Sequence, residues 1–299
     1  MRFSIWPSPQ RPWGEILELV QHCEATGWDG VYFADHFMPN SGTLESMDGP
    51  TIECWSVLAG LAATTTRLRL APLVTSVTYR HATVLANIAA AVDNISNGRL
   101  LLGLGAGWQE NEHEAYGLEL GTIKQRLDRF EEAVQVIREL TREDRTNFKG
   151  AYYNVVAAPN QPAPVQAALP ILIGGGGEKR TLRIAAQFAD EWNAWTDPAT
   201  LAHKVGVLRT HCDSIGRDPA EIQVSTQAML FMSDDEEWLK DKRGMSALAG
   251  SPKEIAEVVA AYQEAGADEI IIPDFTMGSM SRRKDTCDQF IDEVGAQFR

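Results

Sequence analysis

Two residues suited to proton transfer follow the apolar run GVYF, namely Asp35 and His36. A histidine titrates near neutral pH and can donate or accept a proton, and an adjacent carboxylate can orient a ring or a ligand hydroxyl. A pair of this kind at the end of a buried strand is a candidate for acid–base chemistry. The alternative is structural, with Asp35 capping a loop and His36 filling a polar pocket.

A second polar cluster follows the run LLLGLGAG, in which Gly103, Gly105 and Gly107 alternate. Alternate glycines leave one face of a strand bare, so that a ligand or a neighbouring backbone can come close. The spacing lacks the third glycine and the acidic residue of a dinucleotide fingerprint. The next residues form the segment WQENEHE, which has neither HExxH spacing nor a histidine-rich partner segment, so no metal site is predicted.

Four consecutive glycines stand in ILIGGGGEKRT, between an apolar run and a helical pattern. Each ordered glycine costs about 0.5–1 kcal/mol relative to alanine. A bare loop ahead of a helix can direct several N–H groups at one anion, with the positive end of the helix dipole behind them. A tight left-handed turn, the alternative, needs only one or two glycines. The pattern therefore predicts a phosphate site.

The elements that carry these residues alternate between short β-branched or leucine-rich runs and longer amphipathic ones, which is typical of βαβ units. Eight strands are predicted, at residues 2–6, 30–35, 68–74, 100–105, 170–174, 191–195, 222–230 and 269–273. Eight such units favour an α/β fold, a closed (β/α)8 TIM barrel forming one domain over residues 1–299. Insertions are expected after strands four and seven, and FKGAYYNV in the first of them is a candidate hairpin. In a barrel of this kind the chemistry lies at the carboxyl ends of the strands.

The third predicted strand is interrupted by Pro72 and followed by Thr75 and Ser76. Proline removes a ladder donor and usually marks an edge or a bulge. A bulge at the mouth of a barrel would offer a flat ligand a surface to rest on. The alternative is a strand that ends early in a turn rich in hydroxyl side chains.

Composition narrows the class of protein. The chain has 27 Lys and Arg against 41 Asp and Glu, a net charge of −14, and no basic stripe that would suit nucleic acid. Its 4 cysteines include no CxxC pair, which argues against a zinc ribbon or a disulfide framework. No apolar stretch resembles a signal peptide or a membrane span. We expect a cytoplasmic enzyme with a small-molecule substrate.

Nearly the whole chain resembles the bacterial luciferase-like superfamily, through GWDGVYFADHF, LAPLVTSVTYRHATVLANIAAAVDNIS and ILIGGGGEKRTLRIAAQFADEWN. The segments ADHF and GAGWQENEHEAYG are most similar to the branch that uses coenzyme F-420, an 8-hydroxy-5-deazaflavin. The resemblance implies a barrel that is commonly a homodimer. It also implies a bulge in the third strand, with a non-prolyl cis peptide near Leu73 and Val74, on which the deazaflavin ring rests.

The resemblance also assigns roles to residues. It makes His36 the candidate proton donor or acceptor. It implies cofactor contacts by Asp35, Leu73, Val74, Thr75, Gly107, Asn111, Gly175, Gly176 and Gly177. Sugar-phosphate and alcohol dehydrogenases of this branch carry a catalytic Glu where this chain has Trp108, which argues against a sugar-phosphate substrate. Glu110 is the candidate replacement, and Trp108 is assigned to the substrate pocket together with Phe275.

Three functions compete at this point. The leading hypothesis is an oxidoreductase that moves a hydride between coenzyme F-420 and an organic substrate. The second is a monooxygenase of the same superfamily that uses FMN, since both would share the phosphate loop and the bulge. The third is a barrel that binds a phosphorylated ligand without redox chemistry, although no nucleophile and base pair such as GxSxG with a His is present.

Overall fold

The computed structural model describes residues 1–39, 48–244 and 246–299. These fall into two compact units. Unit 1 comprises Met1–Ser8, Pro12–Tyr32 and Gly175–Arg299, and unit 2 comprises Pro9–Arg11 and Phe33–Gly174. The prediction of a single domain over residues 1–299 stays a prediction.

All eight predicted strands are present at least in part. The predicted third strand, 68–74, is observed at 69–72 with a further short strand at 75–76. The predicted seventh, 222–230, is divided between two strands, at 223–227 and 229–232, that belong to different sheets. The strands are β1 Arg2–Trp6, β2 Gly30–Phe33, β3 Arg69–Pro72, β4 Thr75–Ser76, β5 Leu102–Gly105, β6 Thr146–Lys149, β7 Asn154–Ala158, β8 Ile171–Gly174, β9 Glu191–Asn193, β10 Gln223–Gln227, β11 Met229–Met232, β12 Ala247–Gly250 and β13 Glu269–Pro273.

The described helices alternate with these strands. They are α1 Trp13–Ala25, α2 Cys54–Thr64, α3 Ala82–Ser96, α4 Glu110–Tyr116, α5 Ile123–Leu140, α6 Thr181–Phe188, α7 Pro198–Ile215, α8 Glu236–Leu239, α9 Pro252–Glu264 and α10 Met280–Glu293. Of the helices in the described ranges, none is long and apolar enough to cross a membrane.

Local sequence explains where several helices begin. Thr122 and Gln125 form a reciprocal capping box at the start of α5, and Ser251 and Glu254 form another at α9. Each box satisfies two backbone N–H groups that the first turn leaves without partners. Asp197 caps α7, whose first residue is a proline that is already set in the helical φ range.

In unit 1 the parallel strands lie in the order β2, β1, β13, β10, β9. Their side chains form a buried apolar core that includes Phe3, Ile5 and Ile271. The buried Glu269 carboxylate accepts hydrogen bonds from Arg2 Nε at 3.0 Å and Ser4 Oγ at 2.5 Å. These contacts lie at the first residues of β1 and β13, so we assign them to stability rather than to chemistry.

In unit 2 the parallel strands β4, β5 and β8 pair in that order, and β3 joins through Leu70 and Leu100. The segment FKGAYYNV forms the predicted hairpin, because β6 and β7 pair antiparallel. The insertion after β10 belongs to unit 1 and holds β11, α8 and β12, with β11 parallel to β12.

Candidate active site

Glu112 is the hub of a hydrogen-bond network in unit 2. Its carboxylate is completely buried and accepts hydrogen bonds from His36 Nδ1 at 2.9 Å and from the Met38 N–H at 3.2 Å. It also accepts from the Phe37 N–H and the Tyr79 hydroxyl. One side chain on the first turn of α4 therefore fixes both the segment after β2 and the segment after β4.

This network settles how the His36 ring is oriented. Because the Nδ1–H group donates a hydrogen bond to Glu112, the neutral ring presents Nε2 as an acceptor. The His36 side chain is 12% exposed, and among the described residues no group is hydrogen-bonded to Nε2. The Trp108 ring, itself 53% exposed, meets the His36 ring edge-on with 5.7 Å between the ring centroids. Within the part of the chain that the structure describes, this nitrogen can therefore accept a hydrogen bond from a ligand.

Electrostatics favour the charged form of Glu112. Burial raises the pKa of this carboxyl group, but the hydrogen bonds from His36, Tyr79 and the Phe37 N–H outweigh burial and hold the pKa below its ordinary value. A carboxylate in this state stabilises a positive charge on the imidazole beside it. The pair is therefore equipped to take up a proton and release it again.

Asp35 is engaged in a different pairing. Its buried carboxylate forms a bidentate ion pair with Arg80, at 2.6 and 3.1 Å, and Arg80 also contacts Glu53 at 2.6 Å. Burial raises the pKa of Asp35, and the Arg80 guanidinium opposes that shift. Asp35 is therefore adjacent to His36 in the sequence, but both of its carboxylate oxygens are bound to Arg80. This ion pair anchors the segment after β4.

Leu73 and Val74 interrupt the sheet between β3 and β4, where the bulge was expected, and the peptide that joins them is cis. The nearby glycines explain how the chain accommodates it. A Cβ at Gly103 would overlap the Pro72 carbonyl oxygen, and a Cβ at Gly105 would lie 2.7 Å from Val74 Cγ2. Of the two uses proposed for the alternate glycines, the close approach of neighbouring backbone is therefore the one seen at Gly103.

Thr75 and Gly107 complete the surroundings of the bulge. Thr75 is buried, and its hydroxyl accepts a hydrogen bond from Trp55 Nε1 at 3.0 Å. Gly107 has a φ of +86°, and a Cβ there would lie 2.5 Å from Ser76 Oγ. Both the left-handed backbone and the lack of space explain the glycine at this position.

The helix α4 decides which polar residues point inward. Asn111, Glu112 and His113 are buried, whereas Glu110 and Glu114 are exposed. His113 bridges the Gln109 carbonyl at 2.7 Å and Thr78 Oγ1 at 2.6 Å, so it holds α4 to the segment after β4. The structure brings Glu112 to His36, and it leaves Glu110 on the outer face of the helix.

The glycine loop belongs to unit 1. Gly175 has a φ of +115°, donates its N–H to Asn193 O at 2.9 Å and accepts from Trp192 Nε1 at 2.9 Å. Among the described residues, no acceptor is found for the N–H groups of Gly176 and Gly177. A Cβ at Gly177 would lie 2.9 Å from Thr181 Oγ1, at the start of α6. Two bare N–H groups ahead of a helix are what an anion site requires.

A lysine lies beside this loop. Lys204 Nζ donates to the Gly176 carbonyl at 2.8 Å and lies 3.2 Å from Glu178 Oε1. The hydrogen bond from Lys204 lowers the pKa of Glu178. The loop therefore lies beside a lysine–glutamate ion pair that the glycine pattern did not indicate.

Phe275, assigned to the substrate pocket, belongs to an aromatic cluster in unit 1. It is 40% exposed and packs edge-on against Trp6, with 5.1 Å between the ring centroids. Trp6 also contacts Trp195 edge-on at 5.8 Å. Phe275 therefore contributes to an exposed aromatic surface.

Sequence reasoning missed Glu112, Tyr79, Arg80 and Lys204. A signal for Glu112 existed, because ENEHE opens a helix in which positions three apart share a face, and Gln109 and Glu112 are both buried. No comparable pattern marks Tyr79, Arg80 or Lys204, since each lies far in sequence from the group that it contacts.

Comparison with known proteins places these features in a family. Residues 1–247 match the model of the family described as luciferase-like monooxygenase. The chain belongs to this family.

Two curated relatives carry different activities. The chain is 35% identical over 160 residues to the F420-dependent glucose-6-phosphate dehydrogenase of Amycolatopsis mediterranei, a match that covers 52% of this chain and 47% of the relative. It is 34% identical over 180 residues to the pyrimidine monooxygenase RutA of Allorhizobium ampelinum, covering 58% of this chain and 46% of that relative. The chain thus spans about half the length of each.

Solved structures show the fold. The coenzyme F420 dependent tetrahydromethanopterin reductase of Methanopyrus kandleri superposes with a TM-score of 0.85 at 18% identity, covering 100% of this chain and 99% of that one. The predicted (β/α)8 barrel fold is confirmed.

Proposed function

We propose that this chain is an oxidoreductase that transfers a hydride between coenzyme F-420 and an organic substrate. The observation that carries the proposal is the His36–Glu112 pair, in which a buried carboxylate holds an imidazole whose Nε2 has no partner among the described residues. The relative from Amycolatopsis mediterranei, which is named for the same coenzyme, supports the choice of hydride carrier.

Each unit, taken by itself, carries residues that the family resemblance assigns to such a cofactor. In unit 1 the N–H groups of Gly176 and Gly177 would receive its phosphate, beside the Lys204–Glu178 ion pair. In unit 2 the bulge at Leu73 and Val74 would support the ring, with Asp35, Thr75, Gly107 and Asn111 as further contacts. When bound, the deazaflavin supplies carbon 5 as the atom that carries the hydride.

The chain's own contribution to the reaction is the proton. When a substrate hydroxyl is oxidised, His36 Nε2 would accept the hydroxyl proton as the hydride leaves the carbon, and the Glu112 carboxylate would stabilise the resulting imidazolium. In the reverse direction the same nitrogen would return the proton to the carbonyl oxygen. Glu110 remains a candidate for this role, but its exposed position on α4 makes it the weaker one.

A specific observation favours the FMN-dependent monooxygenase as the second candidate. The matching family is described as luciferase-like monooxygenase, and the relative from Allorhizobium ampelinum is a pyrimidine monooxygenase. We further propose that the protein acts in the cytoplasm as a homodimer. We also propose that it binds no nucleic acid, which its net charge of −14 supports.

Titration of the purified chain with coenzyme F-420 and with FMN, each followed by fluorescence, tests the proposal. We expect saturable binding of coenzyme F-420 and weaker binding of FMN. Tight binding of FMN alone would favour the monooxygenase, and binding of neither would favour a non-redox barrel.

The His36→Ala variant tests the proton role. It should bind coenzyme F-420 with wild-type affinity and lose about 10²–10⁴-fold in turnover, as is usual for removal of a general acid or base. Turnover is measured by cofactor absorbance with a panel of alcohols, aldehydes and ketones. His22 pairs with Asp288 at 2.7 Å in unit 1, so His22→Ala is the matched control that should keep full turnover. Normal turnover of His36→Ala would exclude the role.

A further inference from the structure

Unit 1 contains a large open cavity at the insertion after β10. Its volume is about 770 Å³. The lining residues are Trp195, Met229, Phe231, Asp241, Lys242, Arg243, Gly244, Ser246 and Ala247. Sites for drug-sized molecules fall in the range of about 300–1,000 Å³, so this cavity has the size of a small-molecule site.

The apolar part of the wall includes two aromatic side chains, Trp195 and Phe231, each of which contacts a further ring. Trp195 is 45% exposed and contacts Trp6 edge-on. Phe231 contacts Trp238 edge-on, with 6.0 Å between the ring centroids. Covering such exposed aromatic surface with an apolar molecule removes it from water and so favours binding. The wall therefore favours a flat, apolar ligand.

The cationic groups on the wall are already engaged. Arg243 forms a bidentate ion pair with Glu236, at 2.6 and 2.8 Å, and contacts Glu254 at 2.9 Å. Lys242 Nζ lies 4.8 Å from the centre of the Trp238 ring. Asp241 adds a negative charge to the same wall. The two cations Lys242 and Arg243 are outnumbered by the three carboxylates of Asp241, Glu236 and Glu254, so a phosphorylated ligand is disfavoured.

We infer that this cavity is a binding site for an uncharged aromatic molecule of drug-like size. Binding at this cavity in unit 1 does not depend on the proposed function.

Binding of the neutral fluorescent probe N-phenyl-1-naphthylamine to the full chain, without any coenzyme, tests the inference. We expect saturable binding, displacement by 1-naphthol and no displacement by glucose 6-phosphate. An absence of saturable binding, or displacement by glucose 6-phosphate at similar concentrations, would overturn it.

Two substitutions of equal size locate the probe. Ala247 lines the cavity at the start of β12, so Ala247→Trp should fill it and weaken probe binding at least tenfold. Ala220 is exposed on the turn before β10 and outside the cavity, so Ala220→Trp should bind like wild type. Equal affinity of both variants would overturn the assignment. If Ala247→Trp does not fold, Trp195→Ala decides by the same tenfold criterion.

The outcome is separable from that of the proposed function. Failure of coenzyme F-420 to bind would remove the proposed activity and leave the probe result standing. Failure of the probe to bind would remove this site and leave the proposed activity standing.

Discussion

At the level of single residues, the site depends on which carboxylate reaches His36. Glu110 and Glu112 are two positions apart, yet α4 turns one outward and buries the other. Glu112 receives hydrogen bonds from two side chains and two backbone N–H groups. Its charge is therefore held in place before any substrate binds, which is the condition for stabilising an imidazolium.

Substitution at Glu112 should show this directly. Glu112→Gln removes the negative charge and keeps the shape, so turnover should fall at least tenfold while coenzyme binding is retained. Glu110→Gln should have a smaller effect. Glu114 is exposed on the same helix, and Glu114→Gln is the matched control, expected to match wild type. A larger loss in Glu110→Gln than in Glu112→Gln would return the catalytic role to Glu110.

The charge of Glu112 should also contribute to the free energy of unfolding. Its pKa in the folded protein lies below the ordinary value of 4.5, so its contribution to the free energy of unfolding is present above about pH 4.5 and is lost as the pH falls through the folded-state pKa. At pH 7, Glu112→Gln should lower that free energy by about 1–3 kcal/mol. Urea unfolding of both proteins should show this difference shrinking below pH 4.5. A difference that stays constant with pH would contradict the role of the charge.

At the level of elements, the segment between β3 and β4 packs against the glycines of β5. The bulge at Leu73 and Val74 needs space that Gly103, Gly105 and Gly174 provide, since a Cβ at Gly174 would lie 2.9 Å from Val74 Cγ1. The glycines and Pro72 were both visible in the sequence. The contact between them was not visible, because Pro72 and Gly103 are about thirty residues apart along the chain.

Replacing one of these glycines should test the packing. Gly103→Ala would press a methyl group against the Pro72 carbonyl, and overpacking of this kind costs about 1–3 kcal/mol. Gly206 lies in α7 with open space around its Cβ position, so Gly206→Ala should stabilise the protein by about 0.5–1 kcal/mol. Urea unfolding curves measure both. A neutral Gly103→Ala variant would mean that the bulge can move aside.

At the level of the complete protein, the assembly expected from the family resemblance can be measured. We expect a homodimer, with a mass in solution twice the 32.9 kDa of one chain. Sedimentation equilibrium in about 0.15 M salt is the suitable measurement, because a net charge of −14 would exaggerate repulsion at lower ionic strength. A monomer mass at micromolar concentration would contradict the expectation.

The strands, the hairpin, the glycine loop and the position of His36 all followed from the sequence. The periodicity of hydrophobic residues and the placement of glycines are local properties, so they can be recognised without knowledge of distant contacts. Local pattern therefore sufficed for the barrel fold and for the candidate imidazole.

The partners of that imidazole came only from the folded chain. Glu112 meets His36 across 76 positions and Tyr79 across 33, and Arg80 meets Asp35 across 45. The three-residue spacing of Gln109 and Glu112 puts them on one side of α4, but seven residues are too few for periodicity to decide whether that side is buried. Packing of α4 against the segments after β2 and β4 selected Glu112, because a buried carboxylate is tolerated only where hydrogen bonds converge on it.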